Sequence, residues 1–272
     1  MNTLCVLFLL PVMCFCQTHH ILFAEFNSLS FACANTGISQ WETRGLPKNP
    51  ALLAQHKQGL FSLQSRNYFF TKGLWQFISG IGGGLGKNTG GSIVIGRDGS
   101  SDFEQFLLQC NVGIQLGQKT AMGAGIHCVL NRSAVQSVQL ELNGSWGLCT
   151  QITENLLFGC FVQNPGSFGI AQSYSLPFQA RTGFNLRVHK GLELLAECHQ
   201  RANESLAIAM GILYQPLLHL QLAIGFRTLG PAMSVGWKYR MKEHLFWSTG
   251  MEHQPQLGLS LSSGLEYRFS KS

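Results

Sequence analysis

The chain has 272 residues, a formal net charge of +6 and only 12% charged residues, about half the share usual in a soluble protein. No internal run of about 20 apolar residues occurs, which excludes helical membrane spans. Lys and Arg are scattered singly, with no basic helix or aromatic RNA-binding motif, which excludes nucleic acid as a partner. Low charge without long apolar runs is what a transmembrane β-barrel requires, because its apolar residues occupy alternate positions.

In chain order, Leu4 to Phe15 is nearly all apolar but too short to span a bilayer well, and Cys14 and Cys16 are small residues suited to cleavage before Gln17. Residues 1–16 are therefore expected to be a secretion signal. Cleavage would remove Cys5, Cys14 and Cys16 and leave six cysteines, none in a C-x-x-C pair. No metal or other cofactor is expected. Cys110, Cys128, Cys160 and Cys198 fall on apolar strand faces and read as small lipid-facing hydrophobes.

Residues 17–58 show no strand period and carry Asn35, Gly37, Gly45, Pro47 and Pro50. Phe23, Phe26, Leu29, Phe31, Ile38 and Trp41 nonetheless demand a packing partner. This segment is expected to be an irregular plug in the barrel mouth. Asn49 and Pro50 should turn the chain, since Pro fixes its own backbone angle and Asn can bond its own backbone, directing Ala51 to Ala54 back into the barrel mouth.

Residues 59–272 carry the alternation expected of the barrel itself. Glu104 to Leu116, Val138 to Leu148, Phe178 to Val188, Leu206 to Tyr214 and Met233 to Met241 each set apolar side chains against small or polar ones. The last such stretch, Leu257 to Phe269, is the clearest. At about 3.3 Å per residue it spans roughly 43 Å, or roughly 33 Å when tilted by about 40°, enough to cross the ~25 Å apolar band of an outer-membrane barrel. Tyr267 and Phe269 would anchor its end at the interface. Counting every candidate gives about fourteen strands, an even number as closure of a bacterial barrel requires. Short turns are expected at Gly117 to Thr120, His189 to Gly191, Gln215 to Pro216 and Lys242 to Glu243, and the longest loop at Gln163 to Ser173. The fold class is thus all-β, a transmembrane antiparallel up-and-down β-barrel.

Gly80 to Gly91 is not a phosphate loop. Ile81 stands where the first Gly belongs, and Asn88 replaces the Ser or Thr after Lys87. Such glycines instead allow a bend or close approach of the plug. Lumen-facing charges are expected at Glu141, Arg181, Arg187, Glu193, Glu197, His219, Arg227, Lys238, Arg240, Glu266 and Arg268. They would line a polar conduit, hold the plug, or pair across strands. No G-x-S-x-G joins the serines and histidines, so a membrane-embedded hydrolase is the weaker alternative and no catalytic residue is assigned.

Ser28-Leu29-Ser30-Phe31-Ala32 followed by Asn49-Pro50-Ala51-Leu52-Leu53-Ala54 resembles the opening of FadL-like outer-membrane barrels, especially the PorV and PorQ branch linked to type IX secretion. The resemblance implies a fourteen-stranded barrel, plugged by its N-terminal segment, in the outer membrane of a Gram-negative bacterium. It also implies a non-enzymatic role, first as a partner of secretion-system proteins or secreted cargo. The alternative it implies is a passive channel for hydrophobic small molecules.

Overall fold

The structure, a computed structural model, describes residues 26–40, 45–100, 103–133, 138–165 and 177–269. The expected signal and Trp41 lie outside the described residues, as does most of the expected longest loop.

Fourteen antiparallel strands form a closed barrel: β1 (Leu60–Asn67), β2 (Trp75–Gly84), β3 (Thr89–Gly99), β4 (Phe103–Leu116), β5 (Thr120–Ser133), β6 (Gln139–Gln151), β7 (Leu156–Gln163), β8 (Gln179–His189), β9 (Leu192–Arg201), β10 (Ala207–Leu217), β11 (Leu220–Arg227), β12 (Ala232–Arg240), β13 (Leu245–Gln254) and β14 (Gly258–Arg268). Each strand pairs with its sequence neighbours, and β1 closes the ring on β14 from Leu60↔Arg268 to Asn67↔Leu261. Closure leaves no unpaired edge, which the hydrocarbon of a bilayer would not tolerate.

The alternation places large apolar side chains on the outside. Ile93, Ile95, Leu108, Ile126, Ile212, Ile224 and Val235 are all exposed, while Ser62, Gln64, Gln109, Asn111, Ser234 and Ser262 point inward and are buried. That inversion of the soluble pattern is the signature of a lipid-facing wall. Outward aromatics stand near both ends of the wall, Trp75, Phe103 and Phe226 at one and Phe61, Tyr239, Trp247 and Tyr267 at the end where the turns are short. There Tyr267 meets Phe269 edge-on at 5.3 Å, and Trp247 bonds Ser263 through its indole nitrogen at 3.0 Å. Cys110 and Cys198 are exposed and Cys128 and Cys160 half-buried on this face.

One expected turn moves. Gln215 and Pro216 lie inside β10, and the chain reverses only after Leu217. The pairing register shifts between Tyr214 and Leu217, a bulge that accommodates Pro216 without an N–H for the ladder. The Gly73 to Gly99 stretch forms two strands, β2 and β3, paired from Trp75↔Gly99 to Gly84↔Gly90.

The described residues before β1, here called the plug, lie inside the barrel and reach β1 at the short-turn end. The plug contains a one-turn helix, α1 (Ser28–Ala32), and a 3₁₀ turn, Pro50–Gln55. Asn27 caps α1, its side chain accepting from Ser30 N at 2.6 Å. Ala34 and Asn35, at φ 57° and 62°, then reverse the chain.

The lipid-facing assignment has a depth signature. Ile212, midway along outward-facing β10, should cost about 2–4 kcal/mol when replaced by Arg, whereas Met233→Arg, at the end of β12, should cost about 0–1 kcal/mol. Equilibrium unfolding from lipid vesicles measures both; equal losses would contradict the placement.

Candidate functional site: the plugged lumen

The plug and the inward faces of the strands form one interior. Its most demanding feature is steric. A Cβ added at Gly90, Gly113, Gly123, Gly147 or Gly225 would meet plug atoms of Leu53, Pro50, Asn49 or Ala34 at under 3.0 Å. At Gly159 it would stand 2.6 Å from Ile38 O, and at Gly250 2.7 Å from Ser28 O. The pairing registers Gly84↔Gly90, Gly90↔Gly113, Gly113↔Gly123 and Gly123↔Gly147 make these glycines direct neighbours across β2 to β6. Their bare backbone forms a belt against which the plug's own main chain lies. The close approach anticipated for Gly80 to Gly91 is part of it: Gly80 and Gly82 face Leu46, and Gly84 faces His56 O.

Polar side chains fix the plug along the belt. Asn49 accepts from Ala51 N at 3.0 Å through Oδ1, while its Nδ2 donates to Ile38 O at 2.8 Å, Leu148 O at 3.2 Å and Cys160 O at 3.4 Å. One amide thereby closes its own turn and ties two plug segments to β6 and β7. Pro50 occupies the first position of the 3₁₀ turn, where a missing N–H costs nothing. Ala51 and Leu52 consequently point inward, packing with Ala121, Cys149 and Leu157. On the opposite wall Ser234 Oγ accepts from Ala34 N at 2.9 Å and donates to Ala32 O at 2.8 Å.

The strongest tie is ionic. Glu197 Oε1 accepts from Gly37 N at 2.5 Å and Ile38 N at 2.9 Å. Its Oε2 bonds Arg181 at 2.7 Å and His199 Nε2 at 3.0 Å, and Arg181 also donates to Asn35 O. Arg181 and Glu197 side chains are 1% and 0% exposed, so each charge relies on the other and on plug backbone for lost hydration. Removing one partner of such a pair typically costs about 3–5 kcal/mol.

The remaining expected lumen charges take varied places. Glu141 is buried and accepts from Asn131 at 2.8 Å; Glu193 is buried and accepts from Asn185 at 2.9 Å. Lys238 and Glu266 pair at 2.5 Å, both buried near the short-turn end, and Arg227 pairs with Glu252 at 3.4 Å near the far end. Arg187 is half-buried at the short-turn end of β8. Arg240 and Arg268 lie over the Phe246 ring at 5.5 and 4.4 Å. His219 sits in the exposed turn, edge-on to outward-facing Tyr239 at 5.6 Å, rather than in the lumen. Arg66 went unnoticed in the sequence: its guanidinium covers the plug's Phe31 ring at 4.0 Å, a contact between segments far apart in the chain.

Among the described residues the hydrolase alternative finds a matching pair in His127 Nε2 and Ser145 Oγ at 2.7 Å. His127 is wholly buried and its Nδ1 has no hydrogen-bond partner to orient the ring. Ser145 is likewise buried, so neither side chain of the pair is open to solvent.

A sector of the inner wall differs from the polar remainder. Leu60, Ile78, Val94, Leu107 and Val129, one from each of β1 to β5, form a buried apolar strip with Phe26 and Leu46 of the plug. It starts at the first residue of β1 and climbs to the far part of β5, where Val129 pairs Leu107.

The sequence matches no protein-family model and no curated protein. Solved structures do match. The toluene transporter TbuX of Ralstonia pickettii superimposes with a TM-score of 0.73 at 11% identity, over 90% of this chain and 99% of that one. The toluene transporter TodX of Pseudomonas putida gives 0.69 at 10% identity, over 90% and 98%. A Pseudomonas aeruginosa FadL homologue gives 0.59 at 10% identity, over 90% and 97%. The fold is thus that of FadL-type outer-membrane barrels.

His56 gives the plug's docking a pH dependence. It ends the 3₁₀ turn at the barrel mouth, and burial, with Arg268 adding to it, lowers its pKa from 6.5 to about 4. The folded state therefore holds a neutral ring that the released plug would protonate more readily. Its contribution is complete above pH 6.5 and falls as pH drops towards 4, by up to about 3 kcal/mol. Unfolding of the wild type should weaken over that window relative to His56→Gln; parallel curves would contradict the assignment.

Proposed function

We propose that the protein is a passive outer-membrane channel for small hydrophobic molecules in a Gram-negative bacterium, with residues 59–272 as barrel, 17–58 as plug and no catalytic role. The observation that carries this reading is the apolar strip of β1 to β5. A water-filled pore needs polar walls throughout, whereas here one sector of wall offers Leu60, Ile78, Val94, Leu107 and Val129 to whatever lies against them. In the structure the occupants are Phe26 and Leu46 of the plug. A hydrophobic solute exchanges one apolar surface for another there, so it crosses without facing water, and the glycine belt and Glu197 keep the rest of the plug seated meanwhile.

The solved structures favour the same reading, because those of similar fold include toluene transporters. The secretion-partner role implied by the Asn49-Pro50-Ala51 resemblance has no comparable observation behind it, and the channel reading takes precedence. Lipid is the barrel's constant partner through its outward apolar face. Asn49, Pro50 and Ala51 act as the plug's hinge turn. The inward charges serve to hold the plug and fill the lumen.

The test is uptake of radiolabelled monoaromatic hydrocarbon by a porin-depleted Gram-negative host. Expression of the chain should raise uptake severalfold over vector, and Val129→Glu should return it towards background while the barrel still shows heat-modifiable mobility on electrophoresis. Uptake equal to vector, or unaffected by Val129→Glu, would refute the channel reading.

A further inference from the structure

At the short-turn end the chain leaves the plug and enters β1 through residues 55–59, and a pocket of about 300 Å³ opens there. Its lining brings together His56, Lys57 and Arg268, beside Gln55, Gln58 and Leu60. His56 is buried, and its Nδ1 has no hydrogen-bond partner. Lys57 is exposed at the pocket's edge, and the Arg268 guanidinium is held in place over the Phe246 ring at 4.4 Å. Glu266, two residues before Arg268 on the same strand, is engaged by Lys238 at 2.5 Å.

The surroundings carry the same sign. Four of the six short turns at this end hold a lysine, at Lys87, Lys119, Lys190 and Lys242, whereas their acids are only Glu154 and Glu243. This collar raises the local concentration of anions before any contact is made. An arginine and a lysine in one lining with a buried imidazole nitrogen suit a group with several acceptor oxygens. The volume admits a phosphate or carboxylate together with a few carbons.

We propose that this pocket is an oxyanion-binding site, taking a phosphate or carboxylate group at the barrel's periplasmic mouth. The group arrives either on a small periplasmic solute or on an anionic lipid headgroup reaching round the rim. Bound there, it bridges the stalk of the plug to the last residues of β14. The assignment is independent of what crosses the lumen, because none of the pocket's side chains except Leu60 belongs to the apolar strip.

The experiment uses the full chain in phosphatidylcholine nanodiscs with ¹³C-labelled histidine, the His56 signal being assigned by its loss in His56→Gln. One arm titrates inorganic phosphate; the other replaces part of the lipid with phosphatidylglycerol. A saturable shift of the His56 signal is expected in at least one arm, and the responding arm identifies the source. Arg268→Gln should weaken it at least tenfold, Arg268→Lys less, and Lys72→Gln at the opposite end not at all. Heat-modifiable mobility checks that each variant is folded. No saturable shift in either arm, or one that Arg268→Gln leaves unchanged, would overturn the proposal.

Discussion

Main chain lying against main chain is the constraint on which this interior depends. A barrel of fourteen strands encloses more space than inward side chains of ordinary size fill, and the plug occupies it with irregular backbone. Irregular backbone at membrane depth survives only where its N–H and C=O groups find partners inside the protein. Those partners are side-chain groups: the Ser234 hydroxyl, the Glu197 carboxylate, the Arg181 guanidinium and the Asn49 and Asn185 amides, and to reach them the plug must come closer than a Cβ allows at the facing strand positions. Glycine on the inward positions of β3 to β7 supplies that clearance, and Asn49, Ser234 and Glu197 supply the bonds. Glycine weakens a strand locally, but here the loss is offset by ladder hydrogen bonds on both sides of nearly every strand.

The same constraint organises function. Where glycines lie opposite the plug, contact is between backbones and leaves no room for a solute. Where β1 to β5 present Leu60, Ile78, Val94, Leu107 and Val129, contact is between side chains, Phe26 and Leu46 on the plug side. Side chains change rotamer far more readily than docked backbone lifts away. The interior is thus divided into a seated part and an exchangeable part, and only the second suits passage of an apolar molecule.

Much of this was legible in the sequence because lipid imposes a rule at every second residue. Leu257 to Phe269 alternates cleanly, and β14 occupies nearly the same span. The rule fails near strand ends. His219 has inward parity by counting but belongs to a turn, and Gln215-Pro216 resembled a turn but is absorbed by a bulge. Individual glycines carried a hint of close approach without naming the partner, since Gly147 meets Asn49 across almost a hundred residues of chain. Glu197 was recognisable as an inward charge, yet its partners in the plug are the N–H groups of Gly37 and Ile38, which every residue but proline possesses. Backbone donors leave no mark in a sequence. The apolar strip was hidden for a related reason: it takes one residue from each of five strands, so no local window contains it.

The position of the plug on the glycine belt is the central claim, and a native thiol tests it directly. A Cβ at Gly211 would stand 2.9 Å from Cys33 Cβ, close to the 3.5–4.5 Å that a disulfide spans once the plug yields by a fraction of an ångström. Mild oxidation of the Gly211→Cys variant in native membranes, followed by peptide mapping, should give a bond between Cys33 and the introduced thiol. The Gly123→Cys variant, whose belt position faces Pro50 instead, should give none to Cys33. A folded Gly211→Cys barrel with both thiols free, or equal cross-linking from the two positions, would contradict the seating of the plug.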